Sequence, residues 1–435
     1  MKRIFRGLLL AVSMLAFAAC GDRSTVLKVY NWADYIDETA LDEFETWYYE
    51  QTGERVEVIY QTFDINETML SRIEKGQEDY DVVCPSEYII ERMIAQDLLL
   101  PISRDFGSTP NYIDANMSPF ITENFKKVNA GGKDAFEYAV PYMWGTTGLL
   151  YNAKYVSDEE ASSWDVLVNE KFKDKLFVKD ACRDVYTTLL LYLKYDEINA
   201  GRLNKDSIMY SYNAEYMAQV EDFLRQVATG VSGWEADFGK EQMTQEKGYL
   251  NLSWSGDAKW AYDEAQALGV DLRYRIPHEG SNVWFDGWVI PKYAKNVKAA
   301  AYFINFLCRP DIAIRNMDVT GYVSALASPE ILEAMTDDSL DYTVNASYFF
   351  GPGTADHAKL NHMFYPDSAE IARCTIMHDW GNDTPLLIEM WSRVRGDNAS
   401  GRTYVLIGVL VVAMIAIPLI AKSRKKNRKK GHRKH

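Results

Sequence analysis

Histidine and cysteine are scarce in this chain, and neither occurs in a pattern that indicates a catalytic or metal site. The 435 residues include six His and five Cys, with no C-x-x-C pair and no H-E-x-x-H motif. No Ser–His or Cys–His arrangement is visible, and His432 and His435 lie in the terminal tail. Zinc sites and nucleophilic enzymes usually depend on such groupings. An enzyme is therefore a minor alternative, in which the neighbouring carboxylates Asp180 and Asp184 would serve acid–base catalysis.

Positive charge is also scarce outside the two ends of the chain. Lys2, Arg3, Arg6 and the nine cations of residues 422–434 account for 12 of the 47 Lys and Arg residues. The rest of the chain contains the remaining 35 Lys and Arg residues and all 62 Asp and Glu residues, so its net charge is about −27. This charge excludes nucleic acid as a partner, because phosphate binding requires positive charge. It would attract a cation, although a solvated acidic surface explains most of it without any ligand.

Long uncharged runs are confined to the two ends, and the first of them resembles a signal peptide. Residues 1–20 carry three early cations, an apolar run from Gly7 to Ala19, and Cys20. This is the pattern of a lipoprotein-type signal peptide. Phe17-Ala18-Ala19-Cys20 resembles a lipobox, so we predict that Cys20 is acylated after cleavage. An ordinary signal peptide with a chance cysteine is the alternative.

The second uncharged run predicts a membrane anchor. Residues 403–421 are 19 residues without a charge, close to the roughly 20 that cross a bilayer as a helix. Nine Lys and Arg follow in residues 422–435, against the single Arg402 before the run. The positive-inside rule therefore predicts a basic cytoplasmic tail and places residues 21–402 outside, at the outer face of the cytoplasmic membrane. A buried core helix is the alternative, and it would not be followed by nine positive charges.

The cysteines other than Cys20 are widely scattered. They are Cys84, Cys182, Cys308 and Cys374. Export permits disulfides, and four cysteines allow three pairings. We predict mostly buried thiols, with one disulfide as an open alternative.

Strand and helix patterns alternate along the first part of the chain. Leu27 to Tyr30 predicts a short buried strand, and Glu38 to Tyr49 a helix with one apolar face. Similar strand–helix pairs follow as far as about Gln96, so we predict an α/β fold with a mostly parallel sheet. Residues 139–152 are predicted as two extended pieces around a Gly-Thr-Thr-Gly bend, which crosses from one lobe to another. Residues 164–172 are predicted to be helical.

An aromatic residue with an acid close by recurs at the predicted strand ends. The pairs are Trp32 and Tyr35 with Asp34, Tyr88 with Glu87, Trp254 with Asp257, and Trp284 with Asp286, beside Asp180 and Asp184 at another strand-to-helix junction. A ligand with ammonium groups separated by methylenes needs carboxylates to neutralise its charges. It also needs flat aromatic faces to cover the methylenes and contact the cations. Any one pair is explained as well by a core ring beside a surface acid, so the hypothesis depends on their joint placement.

Five motifs in this order resemble the spermidine/putrescine-binding proteins of bacterial ABC transporters. They are Tyr30-Asn31-Trp32-x-x-Tyr35, Tyr80-Asp81-Val82-Val83-x-Pro85-Ser86-x-Tyr88, Val140-Pro141-Tyr142-Met143-Trp144-Gly145, Trp284-x-Asp286 and Thr320-Gly321-Tyr322. The resemblance extends from about Leu27 to Trp391. It implies a monomeric, two-lobed periplasmic binding protein that closes on a polyamine and delivers it to an ABC permease, with no cofactor and no metal.

The resemblance also implies a role for individual residues in the ligand cleft. Trp32, Tyr35, Tyr88, Trp254 and Trp284 would form an aromatic box; Asp184 and Asp286 would bind ammonium groups; Ser86 and Tyr322 would line the cleft. One acid of the family falls on Ala181, with Asp180 one position away, so the choice between spermidine and putrescine stays open. His378-Asp379-Trp380 loosely matches a segment that supplies a polar contact in the family.

The resemblance predicts two discontinuous lobes. Residues 26–138 and 286–328 would form the first lobe, and residues 139–285 and 329–398 the second. Two further alternatives remain open at this stage. One is a ferric-ion binding protein of the same fold, since the chain has 28 Tyr residues. The other is a membrane-tethered ligand sensor, which would share the binding site and differ only in its signalling partner.

Overall fold

The computed structural model of the protein describes residues 23–76, 78–128, 131–353 and 357–396. The predicted signal peptide with Cys20, the predicted membrane span over residues 403–421 and the basic tail lie outside these ranges. Within them, no helix combines the length and the apolar composition needed to cross a membrane.

The described residues form one mixed sheet of eleven strands. The strands are β1 (Val26–Trp32), β2 (Glu57–Phe63), β3 (Val82–Val83), β4 (Leu99–Leu100), β5 (Ala139–Asn152), β6 (Leu176–Lys179), β7 (Val231–Glu235), β8 (Leu250–Trp254), β9 (Leu272–Arg275), β10 (Val283–Pro291) and β11 (Val323–Ser324). Their order along the main path is β2-β1-β3-β10-β5-β8-β6-β7, with β4 beside β10 and with β9 and β11 beside β5.

Two parallel groups of strands flank an antiparallel centre. In the first group β1 pairs with β2 and β3, and in the second group β6 pairs with β7 and β8, all in parallel. The long strands β5 and β10 lie between the groups and pair with each other antiparallel. The α/β prediction is therefore confirmed. The prediction of a mostly parallel sheet is correct for the two groups and wrong for the centre.

Strand β5 is continuous, which corrects the predicted bend in this segment. All fourteen of its residues are buried, and Gly145 and Gly148 lie within the strand. A Cβ atom at Gly145 would lie 2.5 Å from the Trp284 ring, and one at Gly148 would lie 2.5 Å from the Tyr274 ring. These glycines therefore allow aromatic rings to approach the backbone closely, and they do not make a turn.

Helices follow most of the strands. They are α1 (Thr39–Thr52), α2 (Asn66–Glu74), α3 (Glu87–Ala95), α4 (Tyr112–Asn116), α5 (Pro119–Phe125), α6 (Ala135–Tyr138), α7 (Cys182–Leu193), α8 (Tyr195–Asn199), α9 (Ala214–Ala228), α10 (Gly239–Thr244), α11 (Ser255–Leu268), α12 (Val297–Leu307), α13 (Pro310–Thr320), α14 (Pro329–Met335), α15 (Ser347–Phe350), α16 (Ser368–Arg373) and α17 (Thr384–Gly396). The segment predicted as one helix over residues 164–172 forms two short 3₁₀ turns, Trp164–Val168 and Glu170–Phe172.

Local chemistry explains where the clearest helices begin and end. The side chain of Asn213 accepts hydrogen bonds from two backbone N–H groups at the start of α9, as expected of an N-cap. Helix α1 ends at Gly53, whose φ of 72° is the left-handed conformation that glycine adopts most readily. Both helices bury one apolar face, which includes Phe44 and Tyr48 in α1 and Val220 and Leu224 in α9.

The buried apolar side chains form two clusters. The larger one includes residues of β1, α1, β10 and α12, and the smaller one includes residues of β6, β8, α7, α9 and α17. The segment predicted to complete the second lobe, residues 329–398, contributes to both. Ile331 and Leu360 pack in the larger cluster, whereas Leu387 and Met390 pack in the smaller one. The division of the chain into lobes stays a prediction.

The four cysteines of the described chain are free thiols. Cys84, Cys308 and Cys374 are buried, and Cys182 is half-buried. Burial raises the pKa of the Cys84 thiol well above its usual value, which keeps it in the unreactive thiol form.

Phe303 in α12 provides a test of the larger cluster. Its ring is fully buried and lies edge-on to Phe44 and Trp288. We predict that Phe303→Ala lowers the free energy of unfolding by about 3–5 kcal/mol, because it removes buried contacts and leaves a cavity. Urea unfolding of the ligand-free protein measures this loss. The exposed control Val319→Ala should change stability by less than about 0.5 kcal/mol, and equal effects of the two variants would contradict the packing described.

Candidate ligand-binding cleft

A cleft of about 370 Å³ lies between the carboxyl ends of the two parallel groups of strands, which β5 and β10 separate. Much of its lining consists of residues at or after the carboxyl ends of β1, β2, β3, β6, β7 and β8. In open α/β sheets, ligands bind outside the carboxyl ends of the strands. All the residues predicted to contact ligand line this one cleft: Trp32, Tyr35, Ser86, Tyr88, Asp180, Asp184, Trp254, Trp284, Asp286 and Tyr322.

Asp286 lies near the centre of the sheet, at an irregularity in the pairing of β10 with β5. Its carboxylate accepts a hydrogen bond from the Tyr35 hydroxyl at 2.8 Å and one from the Ser86 hydroxyl at 2.6 Å. The residue is 6% exposed. Burial raises the pKa of Asp286 to about 7, the two hydrogen bonds oppose that effect, and the nearby Asp184 adds to it.

Asp184 lies in the first turn of α7, directly after β6. Its Oδ1 atom accepts hydrogen bonds from Trp254 Nε1 at 3.0 Å and from Asn282 Nδ2 at 3.1 Å. Burial raises the pKa of Asp184 to about 6, because these hydrogen bonds only partly offset the loss of water. Asp184 and Asp286 are thus two buried carboxyl groups whose hydrogen bonds come from neutral donors.

Aromatic rings surround the two carboxylates. The Tyr322 ring lies 5.0 Å from the Tyr35 ring and 5.6 Å from the Trp284 ring, in edge-on arrangements. Gly256 makes the approach of Tyr322 possible, since a Cβ atom there would lie 2.3 Å from the tyrosine ring. The indole Nε1 atoms of Trp32 and Trp284 are buried and have no hydrogen-bond partner among the described residues.

Asp180 differs from the other two predicted acids because its charge is already paired. Its carboxylate lies 2.6 Å from the Arg395 guanidinium of α17 and accepts a hydrogen bond from Trp391 Nε1 at 2.8 Å. Tyr88 is also engaged within the protein. Its hydroxyl donates to Glu67 at 3.2 Å, and the Arg183 guanidinium lies 4.7 Å from its ring centre.

The sequence reasoning missed the cations of the cleft. Arg183, Lys240 and Arg395 all line it, but a search for acids and aromatic rings gives no reason to select them. Lys240 follows the carboxyl end of β7, just as the predicted residues follow other strand ends, so its position after a strand end is the signal that could have found it. Arg395 lies far along the chain on α17, and no local pattern points to it.

Asp257 joins the cleft to a buried charge network beneath it. Its carboxylate accepts a hydrogen bond from the Tyr322 hydroxyl at 2.9 Å and contacts the ammonium of Lys179. Lys179 is fully buried and also lies 3.3 Å from Glu235. Because removing one partner of a buried ion pair is costly, this network fixes the position of Asp257 and of the Tyr322 ring above it.

The loosely matched segment 378–380 is absent from the cleft lining. His378 Nδ1 lies 2.6 Å from Glu91, and both side chains are buried. The preceding residue, Met377, is the one that lines the cleft. Among the described residues, no cluster of three or more His, Cys, Asp or Glu side chains is arranged to hold a metal ion.

Asp286→Asn tests the burial of this carboxylate in the ligand-free protein. The folded-state pKa of about 7 exceeds the unfolded value, so the folded state binds the proton more tightly. The resulting stability is therefore present at low pH and is lost as the pH rises through about 7. We predict that Asp286→Asn gains stability relative to wild type between about pH 5 and pH 8.

Urea unfolding midpoints of wild type and Asp286→Asn across this range measure the effect. The exposed control Asp311→Asn should keep a constant difference from wild type. A constant difference for Asp286→Asn would show that the carboxyl group is not desolvated.

The comparisons with known proteins agree with the geometry of the cleft. Over 340 residues the chain is 28% identical to the spermidine/putrescine-binding periplasmic protein of Escherichia coli (strain K12), which covers 75% of this chain and 88% of that protein. It is 29% identical over 345 residues to the putrescine-binding periplasmic protein of the same organism, covering 75% and 86%.

A solved structure and a family model extend these similarities. The structure of the spermidine/putrescine ABC transporter substrate-binding protein of Streptococcus pneumoniae matches with a TM-score of 0.61 and 28% identity, over 86% of this chain and 100% of that one. The model of the bacterial extracellular solute-binding proteins matches residues 39–340, well over half of the chain. This chain therefore belongs to the family of bacterial extracellular solute-binding proteins.

Proposed function

We propose that the chain is the extracytoplasmic substrate-binding component of an ABC uptake system for linear polyamines of the spermidine/putrescine type. One observation carries the proposal: two buried carboxylates, Asp184 and Asp286, lie among aromatic rings in the cleft and receive hydrogen bonds only from neutral groups. A carboxylate buried in this way is costly to ionise until a cation pairs with it. The names of the relatives support the same ligand class.

The aromatic residues would contact the methylene segments of such a ligand. A polyamine carries methylenes between its ammonium groups, and the faces of Trp32, Trp254, Trp284 and Tyr322 would cover them. Each well-placed contact of an ammonium group with a ring face adds about 0.5–2 kcal/mol. A compact metal cation has no methylenes and would gain little from these rings, so the ferric-ion alternative is not favoured.

Ligand capture would couple the two parallel groups of strands. Trp32, Tyr35 and Ser86 follow strands of the first group, whereas Asp184 and Trp254 follow strands of the second. A ligand can shift an open form to a closed form only by binding the closed form better, which contact with both sides provides. The closed, loaded protein would then dock on a membrane permease.

Binding of 1,4-diaminobutane by wild type and by Asp286→Asn tests the proposal. We predict that the variant loses about 2–5 kcal/mol of binding free energy, because an ammonium group would lose its buried partner. Wild-type affinity should rise from about pH 5 to pH 8 as Asp184 and Asp286 ionise, and this rise should be smaller in the variant.

Isothermal titration calorimetry measures both effects. Asp311→Asn, an exposed surface change, should bind like wild type, and 1-aminobutane, with one ammonium group, should bind weakly. Absence of binding of every di- and polyamine by wild type would refute the proposed function.

The attachment to the membrane rests on the sequence alone. An acyl chain at Cys20 would give marginal membrane binding, whereas a helix over residues 403–421 would hold the protein permanently. Such a tether would keep the local concentration near a membrane-bound permease high at all times. Delivery would then depend less on affinity between the two proteins than it does for a freely diffusing binding protein.

Cell fractionation of truncated and acylation-deficient variants tests the tether. With the chain stopped at Ser400 and Cys20→Ala introduced, leaving a cleavable signal, the protein should appear in the soluble periplasmic fraction. Release by the Ser400 truncation alone would show that Cys20 carries no lipid. Release of the full-length protein by high salt would show that residues 403–421 do not span the membrane.

A further inference from the structure

The carboxylates of the cleft fall into two kinds. Four of them contact a cation of the chain itself. Asp180 pairs with Arg395, Asp34 and Asp237 pair with Lys240, and Asp257 pairs with Lys179. Within the described ranges, Asp184 and Asp286 have no such ion pair, and their hydrogen bonds come from hydroxyl, indole and amide groups. Asp184 and Asp286 are therefore the two buried carboxylates that the cleft offers to the charges of a ligand, while the more exposed Asp64 and Glu67 also belong to its lining.

Lys240 is one of the three cations of the described chain that line the cleft. Its side chain is only 13% exposed and lines the cleft. The ammonium lies 2.8 Å from Asp237, 3.8 Å from Asp34 and 4.0 Å from Asp257. It also lies 5.3 Å from the ring centre of Trp260. Burial lowers the pKa of Lys240, but the three carboxylates raise it by more, so the group stays charged.

A row of contacts leads from Asp286 to Lys240. The Tyr35 hydroxyl donates to Asp286, and the Tyr35 ring lies 5.0 Å from the ring of Tyr322. The Tyr322 hydroxyl donates to Asp257, whose Oδ1 atom lies 4.0 Å from the Lys240 ammonium. A ligand that extends past Asp286 along the Tyr322 ring would therefore approach a positive charge.

We infer that Lys240 acts as a resident ammonium group at the Asp257 end of the cleft and thereby selects linear diamines over triamines. The inference rests on the proposed function and names the ligand class within it. Two ammonium groups would pair with Asp184 and Asp286. A third ammonium on a longer ligand would meet the charge of Lys240, and like charges brought together at a binding site oppose binding.

Three amines separate the effect of charge from the effect of length. They are 1,4-diaminobutane, spermidine, and N-butyl-1,4-diaminobutane, which matches spermidine in length but carries only two ammonium groups. The full-length wild-type protein is titrated calorimetrically with each at about pH 8 and constant ionic strength, where Asp184 and Asp286 are ionised. We expect N-butyl-1,4-diaminobutane to bind about tenfold or more tightly than spermidine.

Spermidine binding as tightly as the N-butyl compound would overturn the inference while leaving the proposed function intact. Failure of all three amines to bind would refute the proposed function and the inference with it. The two failures are therefore distinguishable.

Variants at Lys240 then test whether this residue is the cause. Lys240→Met removes the charge and keeps the length of the side chain. It should raise the affinity for spermidine relative to the affinity for N-butyl-1,4-diaminobutane by about tenfold. Lys240→Arg keeps the charge and should keep the ratio. Lys173→Met, an exposed change on the surface, should also keep it. An unchanged ratio of these two affinities in Lys240→Met would overturn the inference. If Lys240→Met does not fold, the inference is tested by the affinities of wild type for the three amines and by the ratio measured in Lys240→Arg.

Discussion

The cleft depends on two carboxylates that the fold buries, neither of which forms an ion pair with a cation in the described part of the chain. Asp286 receives its hydrogen bonds from Tyr35 and Ser86, and Asp184 from Trp254 and Asn282. Neutral donors orient the oxygens but do not cancel their charge, which explains the raised pKa of both groups. Folding alone leaves this electrostatic cost unrelieved. A cationic ligand would relieve it, which makes the cleft selective for positive charge.

The sheet is what brings these groups together. The two parallel groups run in opposite directions on either side of β5 and β10, and residues at the carboxyl ends of three strands from each group line the cleft. The antiparallel strands β5 and β10 join the groups, and β10 carries Trp284 and Asp286 into the middle of the cleft. Strand β6 of the second group contributes Phe177 to the larger apolar cluster and Leu176 and Val178 to the smaller one. Ligand contacts with residues of both groups would draw the groups together.

The cations of the chain divide the cleft into regions of different charge. Arg395 pairs with Asp180, and Lys179 and Lys240 both contact Asp257. The acidic composition of the whole chain does not reveal this division, because it averages over the surface. Binding selectivity would follow from the few carboxylates left open and from the distance between them, since each ammonium group needs its own partner.

The sequence by itself determined the α/β class, the helices that follow the strands, and the aromatic and acidic residues at the strand ends. These features depend on local periodicity and on short motifs, so Trp32, Tyr35 and Trp284 could be selected before the fold was known.

Only the tertiary structure decided that Gly145 lies within a continuous strand, that His378 pairs with Glu91, and that Arg395 neutralises Asp180. The two ion pairs join residues 287 and 215 positions apart in the chain, and Gly145 packs against Trp284 of β10. Local sequence does not encode such pairings, because their energy arises only when distant segments meet and exclude water.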